Sequence, residues 1–147
     1  MRSITLQEVE YIAFRIAQEH FSFNEPIPDY STRFANILES CIAMPFMKVS
    51  GKYLYGRLTA KASILFYLMI KNHPFQNGNK RIAVTSLLVF LYLNNKWLKT
   101  EPMNLYNITV WVAQSPAELK DDVVSAIERY IKKYIAPLNL KNKSSRK

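Results

Sequence analysis

The residues of this 147-residue chain best suited to chemistry lie together in one run, His73-Pro74-Phe75-Gln76-Asn77-Gly78-Asn79-Lys80-Arg81. Histidine is the side chain whose ordinary pKa suits proton transfer near neutrality, so His73 can take a proton from an attacking hydroxyl. Gly78 carries no Cβ, which lets the chain turn tightly while an anion approaches the main chain. Lys80 and Arg81 add positive charge at the same place, and arginine can hold phosphate oxygens at two points. A base beside an anion cradle is the equipment for transferring a phosphate-containing group. Taken singly these residues read otherwise: a lone histidine is mostly structural, Asn-Gly is a turn dipeptide, and a Lys-Arg pair is mostly solvated. Their order and spacing carry the inference.

These residues need a helix behind them. Ile82 to Leu93 is apolar all round, so as a helix it must be enclosed by other elements. The unpaired N–H groups and the dipole of its first turn then favour an anion there. Upstream, Thr59 is expected to cap a helix that runs to about Lys71, with Ala60, Ile64, Leu65, Leu68 and Met69 facing the core and His73 delivered at its end.

The remaining elements frame this pair. Thr5 and Glu8 have capping-box spacing, and Val9, Ile12, Ala13, Ile16 and Ala17 recur at helical intervals, so a first helix is expected from Leu6 to His20. His20 reads as structural. Pro26 and Pro28 break the chain before a second helix from Ser31 to Ile42 that buries Phe34, Ile37, Leu38 and Cys41. Between Met44 and Tyr55, the residues Met47, Val49, Tyr53 and Tyr55 fall in twos around Ser50-Gly51, which predicts a short two-stranded flap. Asn94-Asn95 ends the central helix, Thr100-Glu101-Pro102 opens another to Gln114 with Leu105, Ile108, Trp111 and Val112 for packing, and Ser115-Pro116 with Glu118 starts the last, which ends before Pro137. One domain over 1–136 is expected, followed by a basic, disordered tail over 137–147.

Composition bounds the function. With 49% hydrophobic residues the chain can bury a core, and its single cysteine, Cys41, excludes an internal disulfide and a cysteine-based metal site. No charged-then-apolar leader and no membrane-length apolar run is visible, so a cytoplasmic protein without membrane contact is expected. The formal charge of +9 comes from scattered residues and a basic tail. No groove-facing stripe is visible, so nucleic acid is not the expected partner.

The run His73 to Arg81 resembles the core motif of the Fic/Doc superfamily, and its Asn79-Lys80-Arg81 ending resembles the Doc (death-on-curing) branch of toxins. The apolar segments on either side and the helical approach from Thr5 are similar in order and length. The resemblance implies an all-α, Fic-like helical domain with a small β-hairpin flap beside the active site. It also implies a Doc-like toxin of a toxin–antitoxin system: a protein kinase that takes phosphate from ATP, with Mg2+, to a Ser/Thr hydroxyl of a translation factor such as elongation factor Tu. His73 would be the general base, Gly78 and Asn79 the phosphate nest, Lys80 and Arg81 the charge-neutralising pair, and Pro74 and Phe75 the structural part of the motif. Val49, Ser50, Gly51, Lys52 and Tyr53 would form the flap that docks the target backbone. The partner would be a Phd-like antitoxin acting in trans, since no Ser/Thr-x-x-x-Glu-Gly/Asn inhibitory helix is present.

Two positions bear on the activity. Family members that transfer AMP usually have glycine where Lys80 stands and a second arginine where Val84 stands, so both residues favour phosphorylation. Asn77 occupies the position that is usually Asp or Glu and ligates magnesium; an amide oxygen can coordinate a hard cation but lacks the charge. Two alternatives therefore remain open: AMP transfer to a target hydroxyl, and a catalytically silent partner-binding protein.

Overall fold

In the computed structural model, residues 1–20 and 27–138 are described. The expected break at Pro26, the side chain of His20 and the tail from Asn139 onward lie outside them. Among the described residues the fold is all-α, with six helices and two small antiparallel sheets.

Helix α1 (residues 6–20) begins with the expected capping box: the Glu8 amide donates to the Thr5 hydroxyl at 3.1 Å and the Thr5 amide to the Glu8 carboxylate at 2.9 Å. Between Val9 and Phe14 it widens into a π-helical turn. The Thr85 hydroxyl donates to the Ala13 carbonyl there at 2.7 Å. Val9, Ala13 and Ala17 face inward as expected, but Ile12 is 41% exposed.

Helix α2 (Ala35–Ala43) follows a 3-10 turn at Tyr30–Thr32 that Asp29 caps through Ser31. Of its expected core residues only Leu38 and Cys41 are buried; Phe34 and Ile37 are exposed, because the helix lies on the outside of the domain and offers a narrow stripe to it. Burial pushes the Cys41 thiol up to about 11.

Helices α3 (Leu58–Lys71) and α4 (Asn79–Leu93) form the antiparallel centre. Every residue from Lys61 to Ile70 is buried, so α3 is enclosed on all sides and not on the expected stripe alone. Thr59 does not cap it. The N-cap is Arg57, and the Thr59 hydroxyl donates to Glu128 at 2.7 Å. Around this pair pack α5 (Pro102–Gln114) and α6 (Lys120–Tyr134). Helix α6 presents Val123, Ile127 and Ile131 at every fourth position. On α5 the inward residues are Leu105, Thr109 and Val112, while Trp111 is 49% exposed.

The expected hairpin forms, with β1 (Lys48–Val49) paired to β2 (Lys52–Tyr53) across Ser50-Gly51. Both turn residues have positive φ, 52° and 79°, as the tight hairpin turn requires. A second sheet was not foreseen: β3 (Lys96–Leu98) pairs with β4 (Ile135–Pro137), which carries on directly from α6. Strands of three residues joined across most of the C-terminal half leave no local periodicity to read. Pro137 pairs opposite Lys96 at the sheet end, where a residue without an N–H is tolerated.

Candidate functional site

The loop from His73 to Gly78 joins the two buried helices, and three rings hold its foot in the core. Phe75 is buried and packs on Phe14 at 5.5 Å and Tyr30 at 6.1 Å between centroids, with Phe14 and Tyr30 in edge contact at 5.3 Å. The Phe34 amide donates to the Pro74 carbonyl at 2.8 Å, which ties the loop to the start of α2.

Asn79 staples the loop to the helix. Its side-chain oxygen accepts from the Phe75 amide at 3.0 Å, and its nitrogen donates to the Phe75 carbonyl at 2.8 Å. Both ends of the amide thus bond the main chain of Phe75, which uses one of its two N–H groups. The same side-chain nitrogen lies 3.4 Å from His73 Nδ1, a contact at the long end of hydrogen-bonding distance. His73 is exposed and has φ 49°, a left-handed conformation uncommon outside glycine. Such a residue persists only where its surroundings hold it, here the loop between two buried helices.

Gly78 is the tightest point. It is the N-cap of α4 at φ 79°, and a Cβ there would come within 2.7 Å of the Ile27 side chain. No side chain of its own caps the helix, which leaves the positive end of the dipole open to a ligand. Arg81 is buried, with Nη2 3.4 Å from where that Cβ would sit. Its guanidinium therefore lies beneath the loop.

His73, Gln76, Asn77, Gly78, Asn79, Lys80 and Arg81 all line one cavity of about 720 Å³. Its other wall is Ile70 from α3 with Tyr106 and Ala113 from α5, giving a cationic half and an apolar, aromatic half. The sequence reading missed that second wall. Its one local signal is that Tyr106 and Ala113 stand a heptad apart on α5, on the same helix face.

The structure brings the whole His73–Arg81 run together but does not bring Val49 to Tyr53 with it. The base of the hairpin packs on the first turn of α3: the Lys61 ammonium donates to the Tyr55 carbonyl and lies 4.0 Å from the Tyr53 ring centroid. Phe46, which leads into the hairpin, meets Phe90 near the far end of α4 at 6.3 Å. His73 follows the last turn of α3, about 18 Å along the axis from Lys61 at 1.5 Å per residue. The hairpin is therefore rooted at the opposite end of the helix pair, none of its residues lines the cavity, and its expected place beside the histidine is corrected. What borders the motif loop instead is Ile27, Tyr30 and the backbone of Phe34.

For a metal, Asn77 is the candidate ligand. Its side-chain oxygen lines the same loop and accepts from the Gly78 amide at 2.8 Å, so one of its lone pairs is committed. Among the described residues there is no cluster of three or more His, Cys, Asp or Glu able to hold a metal ion. Asn77 would thus be, among the described residues, a single neutral ligand to such an ion. Among the described residues no helix is long and apolar enough to cross a membrane.

Toxin Doc of Mycolicibacterium smegmatis is 32% identical over 73 residues, which cover 50% of this chain and 56% of that protein, so the similarity spans little more than half of the relative's length. No solved structure matches the chain significantly. The Fic/DOC family pattern matches residues 3–91, more than half of the chain and inclusive of the entire histidine loop, and the chain therefore belongs to the Fic/DOC family.

Proposed function

We propose that this protein is a Doc-like toxin that transfers the terminal phosphate of ATP to a Ser/Thr hydroxyl of a translation factor such as elongation factor Tu, and that it is held in check by a separate Phd-like antitoxin. The observation that carries this reading is the start of α4. There a glycine at φ 79°, hemmed in by Ile27, opens an uncapped helix into a cavity with a histidine on its rim. The similarity to Toxin Doc supports the toxin assignment.

In this reading the target hydroxyl gives its proton to His73 as its oxygen bonds to the terminal phosphorus. The bond from that phosphorus to the bridging oxygen breaks, and ADP leaves. Lys80, Arg81 and the helix start stabilise the charge as it shifts. A magnesium ion, bound through phosphate and Asn77, would neutralise part of the same charge. Val84, where AMP transferases of the family carry a second arginine, is buried in the core and does not line the cavity, which favours phosphate over AMP transfer.

The test is to incubate the protein with bacterial lysate and ATP labelled at either the alpha or the gamma phosphate. Gamma label on a protein is the expected outcome, alpha label would mean AMP transfer, and neither would overturn both. A silent, partner-binding variant is the second reading, favoured by the neutral Asn77 whose oxygen is already engaged by Gly78. Asn77→Asp can keep that backbone bond and adds the carboxylate charge that a hard cation prefers. Phosphate incorporation should rise about tenfold, one charge–metal contact being worth on the order of 1.4 kcal/mol. No gain at saturating magnesium would refute the metal role.

A further inference from the structure

We propose that Lys71 is a positioning residue that seats α5 as the far wall of the cavity. Lys71 is the last residue of α3, and its ammonium donates to the Ser115 carbonyl at 2.6 Å and approaches the Ala113 carbonyl at 3.4 Å. These are carbonyls at the C-terminal end of α5, where the helix leaves acceptors unpaired and carries the negative end of its dipole. A cation there is doubly favoured, and charge-assisted bonds of this kind are stronger than neutral ones.

What matters is which two parts Lys71 joins. One residue to its C-terminal side the chain leaves α3 and enters the His73 loop, and one residue to its N-terminal side Ile70 lines the cavity. Ala113, whose carbonyl it approaches, lines the cavity from the opposite side, with Tyr106 further along the same helix. The histidine loop and the α5 wall are otherwise separated by the whole of α4 and β3 along the chain. Lys71 closes that circuit with a single side chain. No carboxylate competes for it: none of the ion pairs among the described residues involves Lys71, and α5 contains no acidic residue. The side chain sits inside neither the anion cradle nor the cavity lining, so its effect on a ligand acts through α5.

The consequence for the cavity rests on the nucleotide reading above; the seating of α5 does not. The experiment uses the full chain with Lys71→Met, which keeps length and removes the charge, and Lys71→Arg, which restores a donor. The Ser115 amide, bonded to the Val112 carbonyl at 3.1 Å, reports the last turn of α5 in amide hydrogen exchange. In Lys71→Met it should exchange at least roughly tenfold faster, with Val123 and Ile127 of α6 unchanged, and in Lys71→Arg it should return to about wild-type protection. The dissociation constant of a non-hydrolysable ATP analogue with magnesium should rise about tenfold in Lys71→Met and recover in Lys71→Arg, because the apolar wall is displaced and the phosphate contacts are not. Unchanged exchange at Ser115 overturns the seating role. Faster exchange with unaltered analogue affinity overturns its link to the ligand. An unsubstituted chain that binds no analogue sinks the nucleotide reading instead, and the exchange result then decides the seating of α5 by itself.

Discussion

The two ends of the central helix pair use the same backbone conformation for different purposes. At one end Gly78 turns the chain at φ 79°, and at the other Gly51 does so at the same angle. Around Gly51 there is no atom within 4 Å of a built Cβ, whereas at Gly78 the Ile27 side chain stands 2.7 Å away. Each end also carries a non-glycine residue at positive φ, Ser50 beside Gly51 and His73 ahead of Gly78. The hairpin turn is conformationally demanding but open. The histidine loop is both demanding and crowded, pinned by Phe75, Asn79 and Ile27. A left-handed residue in open space is a solution to chain reversal; one pressed against Ile27 on one side and lining a cavity on the other marks where the main chain itself can be presented to something else.

That contrast can be broken most sharply at His73. His73→Ala should lower target phosphorylation by about 10²–10⁴, the usual worth of a positioned general base, while amide exchange across the Ser50–Gly51 hairpin stays as it was. Retained activity would mean that the base lies elsewhere. The glycines come next. Gly78→Ala should cost about 2–4 kcal/mol in denaturant unfolding, the φ penalty plus the forced shift of Ile27, and should abolish binding of an ATP analogue. Gly51→Ala carries the φ penalty alone, about 1 kcal/mol, with analogue binding intact. Equal losses from the two would refute the distinction between them. The smallest effect belongs to the hairpin end, where Glu128 of α6 binds Arg57 and Thr59 at the start of α3. Burial works against its charge, but the hydrogen bonds from Thr59 and Arg57 and the charges of Arg57 and Lys132 outweigh that and hold its carboxyl below the ordinary 4.5. Because the folded state binds the proton less readily, this stabilisation is present above the ordinary value and is lost as pH falls through the folded one. Glu128→Gln should therefore lower stability near neutrality and flatten its decline below about pH 4.5, measured as thermal midpoint against pH.

The same contrast explains what could be read from the chain alone. The histidine loop was legible because its residues are contiguous: nine neighbours supply the histidine, the turn and the cations. Its apolar wall was not, since Ile70, Tyr106 and Ala113 meet only through the packing of α3 on α5. The hairpin was legible as a hairpin, through alternation around Ser50-Gly51, but its location was not, because a local pattern says nothing about which end of a buried helix it will rest on. Lys61 shows the limit of residue type as a guide. A lysine in a helix reads as solvated, yet here it is fully buried, with its pKa pushed down by burial, and it is satisfied by the Tyr55 carbonyl and the faces of Phe46 and Tyr53. Thr59 shows the converse. It has the right type for a cap but sits inside the helix, because its hydroxyl is wanted by Glu128.

Cys41 has a practical corollary. Enclosed under α2 and with a thiol titrating near 11, it presents almost no thiolate at neutral pH, so maleimide and iodoacetamide reagents will pass it by. A cysteine introduced on the exposed tip of the hairpin and another on the rim near Gln76 would then be the reactive thiols of the folded chain. A pair of fluorophores could be attached at the two ends of the helix pair, and their separation followed as nucleotide is added, with the native cysteine left in place.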